Sequence, residues 1–191
     1  MENLAYDYNF DEFDDEPDYE LIGGEKFIMS PAPTPIHGNI VVRLSAIFTN
    51  YIDENNIRAA VFADNTDVFL STEDHCKPDI SIVCDPNVIV WHKAIIGVPD
   101  LVVEVLSEST MRNDLGKKKN IYEKHGVKEY WIVDPWSQRV DVYLLIDGKF
   151  SSKGIYKLHN EETELKNEIK VSIFEDLTVE LKKVFKRWFD D

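Results

Sequence analysis

Lys77-Pro78-Asp79-Ile80-Ser81-Ile82-Val83, followed after a loop by Pro99-Asp100-Leu101-Val102-Val103-Glu104-Val105-Leu106-Ser107, reads as a pair of neighbouring strands. The second run is apolar at successive positions, hence on both faces, as in a strand covered on each side within a sheet. Residues 115–125 are lysine-rich and have the period and length of a helix. Gly126-Val127-Lys128-Glu129-Tyr130-Trp131-Ile132-Val133-Asp134 then returns the chain to a strand. The pattern predicts an α/β fold with a mixed central β-sheet flanked by helices.

Glu104 is the exception inside the apolar run. An ionised carboxylate between Val102-Val103 and Val105-Leu106 is costly unless a positive group meets it. If the two runs pair antiparallel about the midpoint of the intervening loop, the register that sets Val83 opposite Asp100 also sets Asp79 opposite Glu104. Opposed residues share a face, with Cβ atoms roughly 4.5–5.5 Å apart. Asp79 and Glu104 would then form a two-carboxylate pocket suited to a hard divalent cation. Asp100 is the rival acid. It lies on the same face as Glu104 but roughly 13 Å along the strand at about 3.3 Å per residue, too far for one ion to bridge both.

The helix offers a compensating charge. Of Lys117, Lys118 and Lys119, only Lys118 falls on the line of Leu115, Tyr122 and His125, so it is expected to point at the sheet while its neighbours face water. Tyr122, one turn beyond, reads as core more readily than as catalytic.

The order Pro78-Asp79, Glu104-Val105-Leu106, Lys118 and Gly126-Val127-Lys128-Glu129-Tyr130-Trp131-Ile132-Val133-Asp134-Pro135 resembles the Uma2 (DUF820) family, assigned to the PD-(D/E)XK nuclease superfamily. Tyr19-Glu20-Leu21-Ile22-Gly23-Gly24-Glu25, Met29-Ser30-Pro31-Ala32-Pro33 and His37 match the family's N-terminal pattern. The resemblance therefore runs from about Tyr19 to the C-terminal helix. It implies a restriction-endonuclease-like fold in which Asp79 and Glu104 ligate one Mg²⁺ or Mn²⁺, with the Val105 carbonyl as a third protein oxygen. Lys118 would orient the attacking water or stabilise the charged phosphorus centre. Leu106 stands where (D/E)XK has its lysine, a departure that places the lysine's role on the following helix. The resemblance also keeps His37 as an accessory candidate, against the plainer reading of a residue at a helix start.

Composition narrows the partners. The 191-residue chain, 43% apolar and 12% aromatic, fits one globular domain over residues 19–191 behind an acidic arm at 1–18. Two cysteines suit a reducing interior, and neither a membrane-length apolar run nor a basic leader is seen, so the cytoplasm is the expected location. The net charge of −15 counts against nucleic acid. Ten acids and no base fall in residues 1–25, however, leaving −5 for the rest, and residues 108–128 carry six bases against three acids. The arm reads as a solvated tail whose aromatics dock on the body; a nucleic-acid mimic screening the basic stretch is the sharper alternative.

Elsewhere, Tyr19 to Ile28 reads as a hairpin turning at Gly23-Gly24, and Ile40, Val41, Leu44, Ile47, Phe48 and Tyr51 as one face of a helix. Val61 to Leu70 carries strand-type residues, with Asp67 at a solvated turn. Residues 85–98 read as a loop whose Trp91 packs, and His75 and His125 as incidental. Gly126 is a C-cap, Val140 to Leu145 with Asp147-Gly148 a hairpin at the sheet's far edge, and Leu177, Leu181, Val184, Phe185 and Trp188 one face of a closing helix. The resulting expectation is a Mg²⁺-dependent nuclease acting on nucleic acid, DNA foremost, with no membrane partner and with a homodimer as one way to cut both strands. The alternative is a catalytically inactive module of the same fold that binds nucleic acid or a protein.

Overall fold

A computed structural model describes residues 18–29, 33–63, 66–107, 113–158 and 167–187, with the side chains of 113–115 outside that set. Apart from Asp18 the acidic arm lies outside the described residues, as do Asp64 and Trp188.

β1 (Tyr19–Ile22) and β2 (Glu25–Ile28) form the expected hairpin, closed by Gly23 and Gly24 at φ 63° and 78°, a region that favours glycine. Pro35 opens α1 (Pro35–Glu54), where a missing N–H costs nothing, and Ile40, Leu44, Phe48 and Ile52 make its buried face. β3 (Ala60–Ala63), β4 (Val68–Phe69), β5 (His75–Cys76), β6 (Ile80–Val83), β7 (Ile89–Val90), β8 (Ala94–Ile96) and β9 (Leu101–Val105) follow. A π-helical turn at Asn113–Lys118 runs into α2 (Lys119–His125), which Gly126 ends in the left-handed conformation. β10 (Glu129–Asp134), β11 (Arg139–Ile146), β12 (Lys149–Lys157), β13 (Glu168–Lys170), β14 (Thr178–Glu180) and α3 (Leu181–Val184) complete the described elements.

The central sheet has the order β12-β11-β10-β9-β6-β3. It is mixed: β9 and β10 run parallel because α2 carries the chain across between them, and the other neighbours are antiparallel. The predicted register of the two deciding runs is present, with Ile80 opposite Val103, Ser81 opposite Val102 and Ile82 opposite Leu101. Both faces are covered, which is why β9 and β10 are apolar on both sides apart from Glu104, Glu129 and Asp134. On one face Val103, Val105, Trp131 and Val133 pack with α1 and the C-terminal strands. On the other, Val102, Leu106, Tyr130 and Ile132 pack with Ile121 and Tyr122 of α2 and with Val68, Cys76 and Ile95 of a second sheet, ordered β2-β1-β5-β4-β8-β7.

Three local expectations are corrected. Residues 85–98 are not a plain loop: β7 and β8 pair around Trp91-His92-Lys93 and extend the second sheet. Trp91 is 72% exposed, its ring 6.0 Å from that of Phe62. Leu177 is not helical; the C-terminal run makes β14, paired with β13, before the single turn of α3. Leu177, Val179 and Leu181 alternate, and the buried Ile169 and Val171 offer a matching alternation to pair with.

One buried acid ties the second sheet to α2. Asp74, in the turn between β4 and β5, is fully buried. Its carboxylate accepts from the Gly23 N–H at 2.7 Å, Lys124 Nζ at 2.9 Å and His125 Nε2 at 2.7 Å. His125, expected to be incidental, is therefore part of this clamp. Burial alone would raise the Asp74 pKa, but the hydrogen bonds from His125, Gly23 and Lys124 outweigh it and hold the group at about 2. The folded pKa is depressed, so the stabilisation is complete above the ordinary carboxylate value near 3.8 and is lost as pH falls through about 2. Asp74→Asn is expected to cost roughly 2 kcal/mol at neutral pH, the scale of hydrogen bonds to a charged group. In urea melts run from pH 7 to pH 2, the gap between wild type and variant should close only at the acid end.

Candidate active site

Strand alternation places Glu104 on the face of β9 that also carries Val102 and Leu106, against α2. The residue is 2% exposed. Oε1 accepts from Lys118 Nζ at 3.1 Å and from the Tyr122 hydroxyl at 2.7 Å. The helical spacing thus put the right lysine inward. Lys118 is buried, Lys117 is exposed and pairs with Glu25 at 2.7 Å, and Tyr122 shares the inner face one turn on. Lys119 departs from the expectation of a water-facing residue: it is half-buried, its ammonium 3.5 Å from the centre of the Tyr143 ring. Burial lowers its pKa.

Asp79 stands one residue before β6, next to the Ile80–Val103 pair at which the paired register ends. Its Oδ2 accepts the Val105 N–H at 2.6 Å and lies 3.2 Å from His37 Nε2 in the first turn of α1. The two acids have different partners. Asp79 is met from α1 and from the β9 backbone, Glu104 from α2. His37, Asp79 and Val105 form one group, and Glu104, Lys118 and Tyr122 another, at the carboxyl end of the same strand. Asp100 is not brought to either. It sits at the opposite end of β9, where its carboxylate accepts from Cys84 N–H at 2.7 Å and Lys128 Nζ at 2.6 Å. Asp67 is also engaged elsewhere, with His75 Nε2 at 2.6 Å and Lys77 Nζ at 3.3 Å. His75, far from incidental, stacks on Phe69 within the second sheet.

Glu20 was not singled out from the sequence, yet it is the second acid on Lys118. It is 6% exposed on β1, and its Oε1 lies 2.8 Å from Lys118 Nζ and accepts the Lys77 N–H at 2.9 Å. The available signal was Glu20 sharing a strand face with Ile22, itself buried. A carboxylate on the apolar side of a hairpin raises the same question as Glu104 in β9. Tyr122 is fully buried; burial and the neighbouring Glu104 push its pKa well above the ordinary phenol range, so it remains a donor. Among the described residues no group of three or more His, Cys, Asp or Glu side chains is arranged so that it could hold a metal ion.

A mixed sheet crossed by one helix, with charged side chains gathered at the carboxyl end of its central strand, defines a restriction-endonuclease-like α/β protein. A solved structure carries the same fold: that of a "putative nuclease belonging to DUF820" from Anabaena variabilis, 22% identical, aligned over 93% of this chain and 97% of the other with a TM-score of 0.69. The chain belongs to the Uma2 family, described as "Putative restriction endonuclease", which it matches over residues 4–180. It is also similar to the uncharacterized protein slr1290 of Synechocystis, 32% identical over 129 residues, a match spanning 65% of each chain. The family's description is nuclease-like, in keeping with the expectation from sequence.

Tyr122→Phe removes one donor from a buried carboxylate while keeping the ring. It is expected to destabilise the fold by roughly 1–3 kcal/mol, the cost of a buried group left short of a partner. Urea unfolding at pH 7 measures this. A loss under about 0.5 kcal/mol would mean that the hydroxyl does not support Glu104.

Proposed function

We propose that the chain is a Mg²⁺- or Mn²⁺-dependent endonuclease that hydrolyses DNA phosphodiester bonds at the carboxyl end of β9. The observation that supports this most is Glu104, a buried carboxylate touching the buried Lys118, with Asp79 bonded to the backbone N–H of the next residue, Val105. Asp79 and Glu104, with the Val105 carbonyl, are the proposed ligands. Two carboxylates and a carbonyl are hard oxygen donors, and Mg²⁺ is commonly held by one or two carboxylates while keeping several waters. That chemistry fits a site without a third acidic or histidine ligand. A divalent ion held there would lower the pKa of a bound water and draw charge from phosphate oxygens.

The protein's own groups divide the remaining work. In this reading the Lys118 ammonium would orient the attacking water and meet negative charge as it grows on the phosphate. Tyr122 donates to Oε1 of Glu104 and so orients that carboxylate. His37 and the Val105 N–H hold one oxygen of Asp79 in the same way, which is the accessory role proposed for His37.

The second reading, an inactive module of the same fold that binds nucleic acid or a protein, is favoured by the net charge of −15. Plasmid nicking decides between them. Wild type with Mg²⁺ or Mn²⁺ is expected to cleave, and Glu104→Ala and EDTA each to reduce cleavage by at least about 100-fold, as for groups that stabilise a transition state. Cleavage that survives both treatments would reject this site. Sedimentation of the wild type with and without a DNA duplex would show whether two copies assemble to cut both strands.

A further inference from the structure

We propose that Glu20 is a positioning residue of this site: it anchors the Lys118 ammonium so that Glu104 can engage a divalent cation. The inference rests on the metal-site reading and adds to it a residue from a different sheet.

Lys118 Nζ has two carboxylate partners in reach, Glu20 at 2.8 Å and Glu104 at 3.1 Å, and all three side chains are buried. A lysine held by Glu104 alone would compete with any cation for that carboxylate. Once the cation bound, a buried ammonium would be left facing a dication in a poorly screened interior. Glu20 removes both difficulties. It supplies a full negative charge to the lysine, and its position does not depend on Glu104. The same Oε1 accepts the Lys77 N–H at 2.9 Å, and Lys77 lies two residues before Asp79. Glu20 is therefore tied to the chain segment that delivers one proposed ligand while it holds the lysine beside the other. The Asp74 clamp fixes the geometry from outside, since it joins the Gly23 end of the Glu20 hairpin to the Lys124-His125 end of α2.

The test measures cation affinity. Free Mn²⁺ is counted by electron paramagnetic resonance at fixed pH and ionic strength for wild type, Glu20→Gln, Glu20→Asp, Lys118→Met and the Glu20→Gln/Lys118→Met double variant. Glutamine keeps an oxygen for the Lys77 N–H, so the hairpin retains its anchor. Glu20→Gln is expected to weaken Mn²⁺ binding by about 10-fold, as for groups that orient a ligand from behind. Glu20→Asp should recover part of that loss. With Lys118 replaced by methionine, the same Glu20→Gln change should cost under about 2-fold, because the cation it manages is gone.

An equal loss in both lysine backgrounds, or no loss in either, overturns the role of Glu20 while leaving the metal site standing. Absence of saturable Mn²⁺ binding by the wild type overturns the metal site, and this inference with it. Should Lys118→Met fail to fold, a Mn²⁺-bound crystal structure of the wild type supplies the reading. Lys118 on Glu20 with Glu104 on the ion supports the proposal, and Lys118 off Glu20 defeats it.

Discussion

One ammonium between two buried carboxylates is the constraint around which this molecule is arranged. Removing an acid from water is costly, and Glu104 is surrounded by the aliphatic residues of a strand covered on both faces. The cost is tolerable only because Lys118 and Tyr122 reach Glu104 from α2 and Glu20 reaches Lys118 from the second sheet. Three elements must therefore dock correctly for one charge to be satisfied. A greasy side chain at position 104 would pack with less demand on its neighbours.

The surrounding architecture serves that docking. α2 is a short helix, and its start is loosened into a π-helical turn that ends at Lys118. Seven α-helical residues cannot define their own position, since isolated helices of that length are unstable in water. Packing of Ile121 and Tyr122 on the sheet supplies one restraint, and the ionic contacts of Lys124 and His125 with Asp74 supply another. The distance between Lys118 and Glu104 is thus set from both ends of the helix.

What the sequence made legible was what obeys a period. Alternation and a symmetric loop fixed the β6–β9 register, Ile80 opposite Val103 through Ile82 opposite Leu101. A period of 3.6 selected Lys118 from three consecutive lysines. Contacts between elements distant in the chain have no such signature. Glu20 lies 98 positions before Lys118, and nothing local to the hairpin says which helix it will meet. Asp74 is hidden for the same reason, its partners coming from the β1–β2 turn and from the end of α2. At the C-terminus two periods competed: Leu177, Leu181 and Val184 fit a helix, Leu177, Val179 and Leu181 fit a strand. The strand prevailed because β13 was there to pair with it.

The same ion pairs bear on how a polyanion would be met. Residues 108–128 carry an excess of bases, which from sequence alone suggests an attractive patch. In the fold most of those charges are already answered: Lys117 by Glu25, Lys118 by Glu20 and Glu104, Lys124 by Asp74 and Lys128 by Asp100. With a net charge of −15, the chain has little long-range attraction to offer a phosphate backbone. Attraction would have to come at short range, from a cation gathered by the acids and from exposed pairs such as Lys117–Glu25, which exchange partners at small cost. On the proposed arrangement a divalent ion would do two things at once: activate the chemistry, and offset the negative charge of Asp79 and Glu104 where a phosphate would approach.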